Sequence, residues 1–354
     1  MAEEEHNRSD QPRELAETLH VYAFPRWKWP VVRQCFPGRR VVFCRSGAAM
    51  PRTGTLALWG MAPVPARVAP GVRVLRMEDG FLRSVGLGAE LVRPLSWVVD
   101  AQGIYYDATR PSDLESILAT QAFDTDLLAR AAAVRARIVA AGLTKYNVGF
   151  KPWHRPTAAA SAILVPGQVE SDASLAYGAP GERTNMGLLR AVRAANPDSY
   201  VIYKPHPDVL ARLRLGGQGE AEAARWCDEV VTDANMGDLL QAVDEVHVLT
   251  SLAGFEALLR GKAVTCYGQP FYSGWGLTRD RLPNPRRHRR LTLDELTAGA
   301  LFAYPHYLSR DGRHLTTPEE ALDTLLAWRQ RSGGRTPWWQ EPYRFFLRRI
   351  IGVR

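Results

Sequence analysis

The chain is short of lysine, of cysteine in pairs and of any long apolar run, and each shortage removes a class of function. No uninterrupted stretch of about 18 apolar residues occurs, so no membrane-spanning helix is expected. The N-terminus, MAEEEHNRSD, is acidic and polar, which excludes a secretory signal on this reading and points to a cytoplasmic protein. Four cysteines occur (Cys35, Cys44, Cys227, Cys266) without a CxxC pair, so neither a disulfide framework nor a zinc site is indicated and a reducing compartment fits. A P-loop, a GxGxxG fingerprint and an internal repeat are missing, and no acidic DxD cluster stands out as a divalent-ion site. We therefore expect no bound metal and no cofactor.

Only five of the 45 basic residues are lysines, so arginine is abundant by bias and single arginines carry little meaning. The net charge of +8 looks like a nucleic-acid signal until it is located. Seven arginines against one glutamate fall between Arg329 and Arg354, which leaves the rest of the chain nearly neutral. The second basic run, Arg286 to Arg290, sits in a proline-rich loop and is read as a solvated surface. Aromatic residues are not interleaved with it, so nucleic acid is not an expected partner.

A length of 354 residues suggests about two domains. Short apolar runs at His20–Phe24, Arg40–Cys44, Thr55–Leu58, Val72–Leu75 and Trp97–Val99 alternate with helical or Pro/Gly-rich segments, and Ile104–Tyr106 would extend that sheet. Asp124 to Ala141 reads as a helix. Lys151 to Pro156 breaks all periodicity and is taken as a linker. Strands then restart at Ala162–Val165, Val201–Tyr203, Val230–Thr232, Val246–Thr250 and Ala263–Cys266, with helices over Arg183–Ala195, Asn235–Val243 and Leu252–Arg260. Strands alternating with helices of that length mean parallel βαβ units. The expected fold class is α/β with two Rossmann-type domains whose parallel sheets face a central cleft, where ligands bind outside the carboxyl ends of the strands. The expected divisions are a flexible tail over 1–19, an N-terminal domain over 20–156, a C-terminal domain over 157–316 and a helical basic and aromatic tail over 317–354.

Candidate chemistry gathers in the loops after these strands. The run VIYKPHP (Val201 to Pro207) ends a strand on Lys204 and fixes His206 between two prolines, where an ammonium and an imidazolium would meet a phosphate. Ser251 follows the next strand and is placed to cap a helix whose free N–H groups would also favour an anion. Glu256, further along that helix, would reach a ribose diol or simply face solvent. Gly167-Gln-Val-Glu-Ser-Asp-Ala-Ser174 places Gln168, Glu170, Asp172 and Ser174 in another such loop. Asp172 is either a nucleophile or the cap of the following helix. Glu78 in EDGFLRS is either a general base or, with Asp79, a turn cap before Gly80.

The segments MEDGFLRSVGLG, PLSWVVDAQGIYYDATRPSDLE, GQVESDAS, YVIYKPHPDV and EVHVLTSLAGFEALLRGKAVTCYGQPFYSGWGLTRD resemble the KpsC family of capsule polysaccharide β-Kdo glycosyltransferases, over roughly Tyr22 to Asp311. That resemblance implies a GT-B-like fold, an N-terminal acceptor half and a C-terminal half that binds CMP-β-Kdo. It implies transfer of Kdo, a keto-sugar acid, with retention by double displacement to a Kdo-terminated or phosphatidylglycerol-type lipid. Asp172 falls on the family's nucleophile, Glu78 on its acid/base and His206 near the phosphate, while Ser251 and Glu256 fall on residues that contact CMP. The donor's carboxylate needs a cation, which Lys204 or Arg83 would supply; Gln168 and Ser174 complete the expected donor-binding set. The family's namesake enzymes carry two such modules, and this sequence carries one.

The tail beyond about Thr317 matches none of these motifs. If Tyr343 to Ile351 is helical, Tyr343, Phe346, Leu347, Ile350 and Ile351 form one apolar stripe with Arg344, Arg348 and Arg349 off it. This predicts a peripheral protein on the inner membrane surface, with Trp338 and Trp339 at headgroup level; the alternative is a helix packed on the protein itself. Capsule-assembly or export proteins are possible partners. A transferase for another CMP- or UDP-sugar and a non-catalytic polysaccharide- or lipid-binding scaffold are the competing readings.

Overall fold

The computed structural model describes residues 18–45, 50–82, 94–145, 151–157, 159–210, 216–217, 219–309, 311 and 314–332. The chain forms two compact units, Met1–Met77 and Glu78–Arg354. In the first, β1 (Leu19–Tyr22), α1 (Trp29–Cys35), β2 (Val41–Phe43), β3 (Thr55–Trp59) and the body of β4 (Arg73–Asp79) build a parallel sheet in the order β2-β1-β3-β4. Four of the five residues of β3 are buried, the continuous apolar pattern of a parallel strand covered on both faces. Helix α1 opens with a proline in its first turn, where the missing N–H costs nothing. Just before it the Lys28 ammonium is buried 3.2 Å from the centre of the Trp59 ring, a cation held by an aromatic face.

The second unit starts at the end of β4 and continues through β5 (Ser96–Asp100), α2 (Asp113–Thr120) and α3 (Thr125–Ala140). There follow β6 (Ala162–Pro166), α4 (Ala173–Gly178), α5 (Asn185–Ala195), β7 (Tyr200–Lys204), α6 (Pro207–Leu210) and β8 (Glu229–Val230). Then come α7 (Met236–Ala242), β9 (Glu245–Val248), α8 (Leu252–Leu259), β10 (Ala263–Cys266) and β11 (Arg279–Asp280). The last described elements are α9 (Leu293–Ala298), β12 (Pro305–Leu308), β13 (Leu315–Thr316) and α10 (Pro318–Ser332). Strands β6 to β11 form a six-stranded, wholly parallel sheet in the order β11-β10-β9-β6-β7-β8. Its central strand β6, AILVP, is buried at every position. The protein is thus mixed α/β with parallel sheets, as its sequence pattern requires. No helix among the described residues is long and apolar enough to cross a membrane.

Side-chain caps fix where the helices begin. Asp124, Thr184 and Asn235 accept from backbone N–H groups at the starts of α3, α5 and α7, and Thr292 with Glu295 forms a reciprocal capping box on α9. Helix α10 packs back on α3, with Arg130 Nε 2.8 Å from Glu319 Oε1 and Arg137 paired with Asp323. The membrane stripe expected over 343–351, with Trp338 and Trp339, lies outside the described residues.

Two sequence expectations change, and the expected linker is found to be docked. Ile104–Tyr106 does not extend a sheet, because the Asp100 carboxylate accepts from the N–H groups of Gln102, Gly103 and Asp113 and turns the chain away after β5. The Lys151–Pro156 segment is a docked strap: Lys151 bridges to Ala234, and Trp153 Nε1 donates to Glu229 Oε2 at 2.9 Å. Most clearly, Arg286, Arg287 and Arg289 are no solvated surface, while His288 and Arg290 are exposed. Arg287 is only 7% exposed, and its Nε donates to Glu115 Oε2 at 3.0 Å while Arg286 holds the other carboxylate oxygen at 2.6 Å. Arg289 donates to the Gln121 carbonyl at 2.6 Å. The run stitches a loop to α2, and a charge pattern alone could not distinguish that from solvation.

Candidate active site

Two loops of the six-stranded sheet are locked together by one buried amide. After β6 the chain passes through Gly167, where an added Cβ would lie 2.7 Å from the Tyr203 hydroxyl, so only glycine fits. Gln168, 7% exposed, then reaches the loop that follows β9. Its Oε1 accepts from Thr250 N at 2.9 Å and its Nε2 donates to Thr250 Oγ1 at 3.0 Å. Its backbone is clamped in turn by Asn185, whose Oδ1 accepts from Gln168 N and whose Nδ2 donates to Gln168 O, both at 2.9 Å. Gln168 is therefore committed to holding GQVESDAS beside TSLAGFE. Glu170 serves the same purpose, its Oε1 accepting from Asn185 N at 2.8 Å.

Asp172 is exposed and caps α4, with Oδ1 accepting from Ser174 N at 2.8 Å. One oxygen of an exposed carboxylate satisfies a cap, and the other is left over for chemistry. Ser174 is half-buried in the first turn of the same helix. Ser251 caps α8, accepting from Ala253 N at 3.3 Å, and its own carbonyl accepts from the Tyr272 hydroxyl. Gly254 lets that tyrosine approach, since a Cβ there would lie 2.2 Å from its oxygen.

The segment after β7 is equally constrained. Lys204 is buried, and its Nζ donates to the Ala234 carbonyl at 2.8 Å. Burial pushes its ammonium below the ordinary lysine value, against the opposing charge of Asp233. His206 is half-buried between Pro205 and Pro207; its Nδ1 accepts from Asp208 N at 3.2 Å, which puts the ring proton on Nε2 when the imidazole is neutral. Glu256 lies deeper than its sequence position suggested. Its Oε1 accepts from Lys145 N at 2.5 Å, and it borders an apolar pocket lined by Phe81, Leu143, Leu252, Phe255 and Leu301. Burial raises its carboxyl to about 7, although Arg260 and the Lys145 N–H favour the anion.

Glu78 ends β4. Its Oε1 accepts from Asp79 N at 3.0 Å, and the Tyr106 hydroxyl stands 3.5 Å from its Oε2. Tyr105, next in the chain, is raised well above the usual phenol range by burial first, then by the charges of Glu78, Tyr106, Asp79 and Asp172. One phenol thus feels both Glu78 and Asp172, which are 94 positions apart in the sequence. Around it Phe81, Phe271 and Tyr304 close an aromatic cluster, with Phe81 edge-on at 4.9 Å between ring centres. Arg83 lies outside the described residues. Sequence reasoning assigned no role to Tyr105, Tyr106, Thr250 or Asn185; the paired tyrosines stood in GIYYDATR with no charge to draw attention. Among the described residues no group of three or more His, Cys, Asp or Glu is placed to hold a metal ion.

The family model described as capsule polysaccharide biosynthesis protein matches residues 61–155 and 154–307. The chain belongs to this family. It is 44% identical over 322 residues to the capsule polysaccharide modification protein LipA of Neisseria meningitidis serogroup B, covering 88% of this chain and 46% of LipA. The lipopolysaccharide-processing protein LpsZ of Rhizobium meliloti is 43% identical over 298 residues, which cover 79% of this chain and 68% of LpsZ. The chain thus spans about half the length of LipA. Among solved structures, the β-Kdo 2,7 transferase of Thermosulfurimonas dismutans KpsC is 39% identical with a TM-score of 0.72, over 88% of this chain and all of that one. The β-Kdo 2,4 transferase of the same KpsC is 34% identical with a TM-score of 0.74, over 86% and 97%. The fold of this chain is accordingly KpsC-like and GT-B-like.

Proposed function

We propose that this chain is a retaining β-Kdo glycosyltransferase of capsule linker synthesis. It takes CMP-β-Kdo as donor and a Kdo-terminated or phosphatidylglycerol-type glycolipid as acceptor. The observation that carries the reading is structural: the Tyr106 hydroxyl reaches Glu78 while the Tyr106 carbonyl lies against the end of α4, the helix that Asp172 caps, so one loop links the base to the nucleophile's helix. Likeness to two β-Kdo transferases at 39% and 34% identity supports the donor.

In this mechanism Asp172 attacks the anomeric carbon of Kdo as the bond to the phosphate oxygen breaks, and CMP leaves with the electron pair. His206 and the N–H groups at the start of α8, with Ser251, stabilise the charge that develops on the phosphate. The acceptor hydroxyl then attacks the Kdo ester, gives its proton to Glu78 and restores the Asp172 carboxylate. Two inversions leave the product β-linked. The donor is activated already, so positioning and phosphate stabilisation suffice without a metal. Lys204 and Arg83 balance the charge of the Kdo carboxylate. Gln168 and Ser174 shape the donor loop, and Glu256 braces α8 from below through Lys145 instead of touching the ribose. The arginine- and tryptophan-rich end of the chain would hold the enzyme at the inner membrane surface, near its lipid acceptor and export partners.

The test is product analysis with the full chain, CMP-Kdo and a synthetic Kdo-terminated lipid, beside a panel of CMP- and UDP-sugars. A β-linked Kdo product supports the reading. Transfer from a different nucleotide sugar would replace the donor, and no transfer from any donor would leave a binding scaffold.

A further inference from the structure

The loop that carries Tyr105 and Tyr106 is built more firmly than a connection requires. At its start Asp100 takes three backbone N–H groups and the Tyr304 hydroxyl, the last at 2.8 Å. At its end Asp107 accepts from Thr109 N at 2.9 Å and Thr109 Oγ1 at 2.6 Å, and Ala108 N donates to the Tyr177 carbonyl at 3.2 Å. In the middle, the Tyr106 carbonyl passes so close to Gly178 that a Cβ there would stand 3.1 Å from it. The loop therefore rests on the end of α4, the helix that Asp172 caps, while the Tyr106 side chain reaches back to Glu78. Asp79, Asp172 and the Tyr105 phenol are the other titratable groups gathered there.

We propose that Tyr106 is a positioning residue that fixes the Glu78 carboxylate for proton transfer, its hydroxyl donating to Oε2 while the Asp79 N–H holds Oε1. A carboxylate held at both oxygens cannot rotate, and a carboxylate oxygen accepts more than one hydrogen bond, the acceptor hydroxyl's included. The 3.5 Å separation shortens when the acceptor is bound, as catalytic hydrogen bonds commonly do on loading. This inference rests on the proposed role of Glu78 as base.

The test compares Tyr106→Phe and Glu78→Gln in the full chain, with CMP-Kdo and a Kdo-terminated lipid. Tyr106→Phe should lower kcat about 10-fold, the worth of one hydrogen bond, with the acceptor KM within about twofold. It should also move the acidic limb of the kcat/KM profile to higher pH, because the anion loses a donor. Phenylalanine keeps the ring, so a residue that only packs would leave both unchanged. Unaltered kcat and pH profile beside an inactive Glu78→Gln overturns this inference alone, whereas a fully active Glu78→Gln overturns the base assignment and this inference with it. A 13C-carboxyl NMR titration, with the Glu78 signal assigned by Glu78→Gln, needs no turnover: Tyr106→Phe must raise the Glu78 midpoint, and an unmoved midpoint overturns the contact.

Discussion

The donor-side loops and the two proposed reacting carboxylates are held in opposite ways. Gln168, Asn185 and Thr250 bond to one another, so the loops after β6 and β9 are braced together, and Lys204 ties the end of β7 to the segment after β8. Asp172 instead leans on local backbone at Ser174 N and stays exposed, while Glu78 is half-buried with its oxygens on Asp79 N and the Tyr106 hydroxyl. A binding surface gains from being fixed before the ligand arrives, because ordering it later costs affinity. A proton-transferring or attacking group needs free lone pairs and contact with substrate. The site divides those demands between different residues.

The largest effect should come from removing one reacting charge without disturbing the brace. Asp172→Asn keeps the cap on α4, since Asn caps about as well as Asp, so the melting temperature should hold while transfer falls by about 10³-fold or more. Near-normal activity in the folded variant would reduce Asp172 to a helix cap. His206→Ala should cost about 10²-fold in kcat, the scale of one lost donor to a developing anion, again with little change in unfolding. If circular dichroism shows a comparable loss of fold, His206 belongs to the brace instead.

Breaking the brace should invert the pattern. Gln168→Leu preserves bulk but strands Thr250 N and Oγ1, and should cost about 1–3 kcal/mol of stability in urea unfolding. CMP affinity by calorimetry should weaken as the two loops part; unchanged stability would mean that Gln168 only contacts donor. A pH dependence sharpens the comparison further. Burial raises the Glu256 carboxyl to about 7, so the folded state holds its proton where the unfolded chain has released it. Its contribution is complete below pH 4.5 and is lost as pH rises through about 7, on the order of 2–3 kcal/mol. Glu256→Gln, which still accepts from Lys145 N, should remove that slope from unfolding curves recorded between pH 5 and 8. A slope identical to wild type would place the titration elsewhere.

The sequence by itself determined the fold class, the parallel strand pattern, most helix starts and the loops that carry the candidate residues. Those are local properties: an apolar run such as AILVP, a cap such as Asp124 and a proline pair around His206 act through neighbours in the chain. The segments MEDGFLRS, GQVESDAS and TSLAGFE also disclosed the family. Tertiary structure alone decided that Gln168 is a brace, that Glu256 is buried on Lys145, that Arg287 pairs with Glu115 inside the protein and that Tyr105 and Tyr106 join the Glu78 strand to the Asp172 helix. In each case the partner lies tens to more than a hundred residues away. A side chain's charge and hydrogen-bonding capacity are written in its type, but whether water or a distant residue satisfies them depends on which surfaces folding brings into contact.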